Sequence, residues 1–150
     1  MSQAFAKMIG GPSVKAFSAG SNPSGRINQK AIVAMKELGY DLKTHRSKSL
    51  DQVKEFAPFD VVVTMGCGDA CPWMPAKQFI DWQIPDPREM DENDFRKVRD
   101  LIKEKVTDLI LLLKESNEDI FRGWDSLLFL PARKQKQSTN VFRHSTVEYY

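Results

Sequence analysis

Apolar residues set a helical period from the first position. Met1, Ala4, Phe5 and Met8 recur at i, i+3, i+4 and i+7, the spacing of one face of an α-helix. Gly10-Gly11-Pro12 ends that stripe, because glycine frees the backbone and proline removes a donor. The stripe is already running at residue 1, and Ser2 could cap only a shortened version. The expectation is a chain that begins inside an element. Val14 to Ala19 reads as a strand and Gly20-Ser21-Asn22-Pro23-Ser24-Gly25 as a loop. Ile27, Ala31, Ala34, Met35 and Leu38 form a second helical stripe, closed by Gly39. Ser49 followed by Gln52 is a capping-box pair that opens a short helix through about Phe56.

The pattern then changes. Phe59 to Met65 holds Val61-Val62-Val63 with no polar alternation, as expected of a strand covered on both faces. Gln78 to Ile84 is more polar and reads as an edge strand. Asp91 and Asp94 start a long helix whose inner face is Phe95, Val98, Leu101, Ile102, Val106, Leu109 and Ile110. The order α-β-α-α-β-β-α predicts an α/β domain. From Glu115 the periodicity fades. Trp124 to Leu130 is apolar enough to dock, and Ala132 to Tyr150 reads as a polar mobile tail. The expected division is a domain over 1–114 and a C-terminal extension, partly disordered, over 115–150.

Composition narrows the function classes. The chain has 150 residues, 41% hydrophobic and 28% charged, which suits one soluble globular domain. A net charge of +2 gives no argument for nucleic acid or a membrane surface. No apolar run nears the roughly 18 residues of a spanning helix, and no signal-peptide pattern opens the chain. Two cysteines four positions apart make no disulfide framework. The expected location is cytoplasmic, where such thiols stay reduced unless redox chemistry uses them.

Three constellations carry chemistry. Cys67-Gly68-Asp69-Ala70-Cys71-Pro72 follows the apolar strand. Gly66 and Gly68 permit a tight turn there, and a strand end favours an accessible thiolate at Cys67. Redox chemistry, metal binding and two inert loop thiols all fit that segment. A metal would need two further ligands, and only His45 and His144 remain, at no motif spacing. Asp86 lies between Pro85 and Pro87, which restrict its backbone. A carboxylate so held suits general-acid work or a plain turn. His45-Arg46-Ser47-Lys48 could bind an anion, but such runs are more often a solvated connection before a helix.

Together these segments resemble the thiol-dependent arsenate reductases built on the low-molecular-weight protein tyrosine phosphatase fold. The matching stretches are Phe17-Ser18-Ala19-Gly20 with Pro23 and Gly25, Ala31 to Gly39, and His45 to Leu50. They continue through Phe59 to Pro72, Asp81-Trp82 with Pro85-Asp86-Pro87, and Phe95 to Asp100. The resemblance runs from about residue 1 to 114, and Gly66-Cys67-Gly68-Asp69-Ala70-Cys71-Pro72 is its most specific string. It implies a parallel sheet flanked by helices. It puts Asp86 where the family has its general acid, and Cys67 and Cys71 in the loop where related reductases keep redox cysteines. Some relatives hold a potassium ion with acidic residues; the nearest matches here are Gln3 and Lys48, so no metal is expected.

The resemblance also marks a departure. The family opens with a strand and a Cys-x5-Arg-Ser loop that cradles the oxyanion at a helix N-terminus. Met1 to Phe5 resembles the helix after that loop. The expectation is therefore an N-terminally truncated member, lacking the first strand and the catalytic loop. That strand lies inside the family's sheet between the second and third strands. Its absence requires the strands at 14–19 and 59–65 to pair directly, leave a gap, or recruit something else.

The implied function is reduction of arsenate to arsenite by thiol chemistry in the full-length family, with this chain inactive for want of the nucleophile. No bound cofactor is expected. A thiol reductant (mycothiol, glutathione or similar) is the co-substrate, and the partners are an arsenate or phosphate-like oxyanion and a small thiol or redoxin. A low-molecular-weight tyrosine phosphatase is the first alternative. Pro87-Arg88-Glu89-Met90 speaks against it, because such phosphatases place aromatic residues there. A catalytically dead binding protein that uses residues 115–150 is the second.

Overall fold

The structure, a computed structural model, describes residues 1–20, 23–65, 74–125 and 144–149, with backbone alone in 117–125 and 144–149. Helix α1 (Ser2–Gly10) leads through a 3-10 turn into β1 (Val14–Ala19). Helix α2 (Gln29–Lys36), helix α3 (Asp51–Lys54), β2 (Phe59–Thr64) and β3 (Ala76–Asp81) follow. Helix α4 (Glu92–Asp125) and β4 (His144–Tyr149) complete the order. The strands form one parallel sheet in the order β1-β4-β2-β3.

Local signals account for most of these elements. Asn28 caps α2 by accepting from the Lys30 N–H at 2.9 Å. Gly39, at φ 77, closes the same helix. There the Tyr40 N–H donates to the Met35 carbonyl at 3.0 Å and the Gly39 N–H to Lys36 at 2.9 Å, the paired bonds of a left-handed glycine cap. Half of the capping box at Ser49 forms: the Ser49 N–H donates to Gln52 Oε1 at 2.9 Å, but the helix is capped at Leu50, which has no side-chain acceptor. Asp91 accepts from the Asp94 N–H at 2.8 Å and opens α4.

The sheet is covered on both faces. Val61 and Val63 face a large cluster with Phe5 of α1, Met35 of α2, and Phe95, Ile102 and Val106 of α4. Val62 joins a smaller cluster with Phe59, Leu50, Val53 and Met74. That double burial is why β2 lacks polar alternation. β3 lies at an edge and its residues are mostly half-exposed or exposed, as its polarity predicts; it runs over 76–81, not 78–84.

Helix α4 continues through Glu115, where the periodicity fades, to Asp125. Up to residue 116 its last fully buried side chain is Ile110; Leu111 and Leu112 are exposed, and Leu113 packs against the large cluster. The expected tail at 132–150 is corrected in part, since His144–Tyr149 forms a strand. That strand fills the position between β1 and β2, so of the three outcomes for a missing strand, the chain recruits its own C-terminus. Residues 126–130 of the apolar segment lie outside the described residues.

Candidate active site

All four strands run the same way, so their C-terminal ends share one edge of the sheet. Helix α1 joins β1 through only Gly11–Ser13. Its start therefore lies toward that same edge, and ligands of open α/β sheets bind there. The loops after β1, β2 and β3 also leave from this edge.

The loop carrying Asp86 is tethered at both ends. Trp82 is 7% exposed and packs into the large cluster, and its N–H donates to the Thr64 carbonyl at 2.8 Å. The Thr64 hydroxyl donates to Asp81 Oδ1 at 2.5 Å, and Gln83 donates to the other Asp81 oxygen. Downstream, Lys30 Nζ donates to the Met90 carbonyl at 2.7 Å and to that of Arg88 at 3.3 Å. The start of α2 thereby holds the far end of the loop.

Asp86 itself is exposed and closely paired. Arg88 Nε and Nη2 both donate to Asp86 Oδ2, at 2.8 and 2.6 Å, and the Arg88 N–H donates to Oδ1 at 3.1 Å. These bonds, the side-chain ones foremost, hold the carboxyl below its ordinary range. In this state Asp86 is a carboxylate locked to a cation, and the Pro-Asp-Pro segment continues into a turn around its own side chain. Cys67 and Cys71 lie outside the described residues.

A polar network that the sequence reading missed sits beneath α1. Gln3 is 7% exposed. Its Nε2 donates to the Ala16 carbonyl at 2.8 Å, and its Oε1 accepts from the Ser18 hydroxyl at 2.7 Å. Oε1 lies 3.1 Å from His45 Nδ1, and His45 Nε2 lies 2.8 Å from the Tyr40 hydroxyl. An acceptor at Nδ1 and a hydroxyl at Nε2 assign the proton to Nδ1 and leave Nε2 to accept. Burial foremost, then Lys7, the N-terminal ammonium and Lys48, lower the His45 pKa from 6.5 to about 4. His45 is half-buried and belongs to this hydrogen-bonded network, which corrects its reading as part of a solvated run. No signal in the sequence marks this network; only the structure shows that Ser2, Gln3, Ala4 and Ala6, small or polar, are all buried.

Gln3, the nearest match to a potassium-ligand position, spends its amide on protein partners. Among the described residues no group of three or more His, Cys, Asp or Glu side chains could hold a metal ion. Among them, too, no helix is long and apolar enough to cross a membrane.

Comparison with known proteins places this edge in context. Residues 1–119 match the family model described as low molecular weight phosphotyrosine protein phosphatase. A glutaredoxin arsenate reductase of Synechocystis sp. is 36% identical over 115 residues, 73% of this chain and 85% of that protein. Arsenate reductase 1 of Staphylococcus epidermidis is 37% identical over 110 residues, 71% and 81% of the two chains. Among solved structures, an arsenate reductase in its phosphate-binding state superposes with a TM-score of 0.63 at 34% identity, covering 73% of this chain and 85% of that one.

Proposed function

Because the chain belongs to the low molecular weight phosphotyrosine protein phosphatase family, we propose that its tetrahedral-oxyanion edge is of the arsenate-reductase kind. The observation that carries this reading is likeness at two levels. Sequence identity of 36–37% to arsenate reductases coincides with structural similarity to an arsenate reductase that binds phosphate, a stereochemical mimic of arsenate.

In this reading, the rim of the pocket is the loop after β2, with Cys67 and Cys71, and the loop after β3, with Asp86. Reduction moves two electrons to arsenic(V). Two thiols lose one electron each and become a disulfide, while one arsenate oxygen leaves as water. Asp86 supplies a proton to departing oxygen. Held by Arg88, it has no proton to give. A bound oxyanion competes for Arg88 and, as a like charge, raises the Asp86 pKa. Cys67 and Cys71 serve the thiol relay, and a small thiol or a redoxin regenerates them. These 150 residues contain no Cys-x5-Arg sequence, so they lack a cradle nucleophile, and the chain alone does not turn over arsenate.

The test compares the chain with a version carrying a Cys-x5-Arg loop and its strand ahead of Met1. Arsenite release is measured with a thiol reductant present. The extended version should reduce arsenate with saturation, the chain alone should not, and Asp86→Asn in the extended version should lower turnover about 10²–10⁴-fold. Phosphotyrosine hydrolysis without arsenate reduction would instead support a phosphatase, the second reading that the family description favours.

A further inference from the structure

β3 ends the sheet, and among the described residues no strand pairs with its far side. The Trp82 N–H donates to the Thr64 carbonyl on β2 at 2.8 Å. Backbone groups of successive strand residues point to opposite sides, so Gln78 and Ile80 share the direction of Trp82 and face β2. Phe79 and Asp81 direct N–H and C=O off the sheet, the template that an edge offers to another strand. Proline or a bulge commonly blunts such an edge. β3 contains no proline, and its register against β2 is unbroken from Gln78 to Asp81.

The side chains of this edge are self-complementary when the strand is reversed. Lys77, Phe79 and Asp81 alternate along one face. Phe79 stands opposite Val62 and Asp81 opposite Thr64, and Lys77 Nζ lies 2.5 Å from Asp60 Oδ1. All three are exposed, Phe79 at 50% although it is aromatic. A second β3 laid antiparallel, with Phe79 on the two-fold axis, sets Phe79 against Phe79 and Lys77 against Asp81 twice. Phe79 then exchanges both of its outward backbone groups with its counterpart, as a hydrogen-bonded antiparallel pair requires. Each Lys77 lies between Asp60 of its own chain and Asp81 of the second copy. A shift of two residues either way puts Phe79 against Lys77 or Asp81 and loses both matches. An edge lysine normally wards off a partner strand; this one meets an opposite charge only when the partner is the same strand.

We propose that β3 pairs with β3 of a second copy of this chain, antiparallel and centred on Phe79, so that two sheets join into one across a two-fold axis. Opposite charges and aromatic rings placed directly across from one another are the pairs that stabilise neighbouring strands. β3 is six residues long, and a strand pair of that length buries less than the roughly 1,200 Å² of a standard stable interface. The dimer is therefore reversible and forms only at high protein concentration. Because the two strands run in opposite directions, the C-terminal edges of the two sheets lie at opposite ends of the dimer.

The test is sedimentation velocity on the full chain from about 10 μM to about 1 mM, with a monomer–dimer equilibrium expected. Phe79→Glu sets two like charges on the axis and should weaken dimerisation about tenfold or more. Lys77→Glu alone should weaken it similarly, by turning two attractive pairs repulsive. Lys77→Glu combined with Asp81→Lys should restore it, because the swapped strand is again its own complement. Circular dichroism selects the variants that fold. Hydrogen exchange on the native chain needs no variant: amides of Phe79 and Asp81 should gain protection as concentration rises, while those of Gln78 and Ile80 are protected throughout. A monomer across the whole range overturns the proposal, as does a dimer that ignores Phe79→Glu or that the folded double exchange fails to restore. Protection of Phe79 and Asp81 in the dilute monomer overturns it too, because another part of the same chain then covers the edge.

Discussion

Gln3 hydrogen-bonds three polar groups at once, the buried Ala16 carbonyl and the half-buried Ser18 and His45. Replacing it by leucine keeps the volume but strands the Ala16 carbonyl, the Ser18 hydroxyl and His45 Nδ1. We expect Gln3→Leu to lose roughly 2–4 kcal/mol of stability, read from urea unfolding. His45 adds a pH dependence with a definite sign. The unfolded chain takes up this proton near 6.5 and the folded chain only near 4. The contribution is complete above pH 6.5 and is lost as pH falls from 6.5 toward 4. Urea midpoints across that range should decline in the native chain, and His45→Asn should flatten that part of the curve. At Asp86, Arg88→Ala removes the main cause of the lowered pKa; carboxyl carbon shifts in an NMR titration should show it rising toward the ordinary carboxylate value. Asp86 was legible as a candidate because two prolines flank it. Its Arg88 partner, two residues on, was legible only as a charge. The polar network was not legible at all, because Gln3, Ser18, Tyr40 and His45 are brought together by tertiary packing.

Helices and strands show where periodicity speaks and where it falls silent. Gly10 looks like a replaceable helix residue, and alanine is worth about 1 kcal/mol more in a helix interior. A Cβ there would overlap the Val14 side chain, because the turn from α1 into β1 is so short. Gly10→Ala should therefore destabilise, by about 1–3 kcal/mol, measured by thermal or urea unfolding; a gain in stability would show that the turn can open. The tie between α2 and α4 was invisible from the sequence: Glu37 accepts from Arg96 at 2.8 Å and from Arg99 at 2.8 Å, and Arg99 also donates to the Ala34 carbonyl. Helix α4 outlasts its periodic stripe. Nothing between Glu115 and Arg122 breaks a helix, so the backbone stays helical to Asp125. Periodicity reports burial, and helicity can outlast it.

At the scale of the whole molecule, β4 holds the sheet together. A chain ending at Asp125 would leave the facing edges of β1 and β2 with unpaired N–H and C=O groups, the arrangement that promotes edge-to-edge association. We expect that deletion to lose cooperative unfolding by circular dichroism and to self-associate by light scattering. Much of the architecture was nonetheless written along the chain. The two stripes at 1–8 and 27–38, the unbroken apolar strand at 61–63 and the long amphipathic helix depend on neighbours a few residues apart. Helical and strand periods alone expose such patterns. Propensity could not place His144–Tyr149, because a polar six-residue segment has no preference for the middle of a sheet. Only the unfilled ladders of β1 and β2, distant in sequence and adjacent in space, decided where it went.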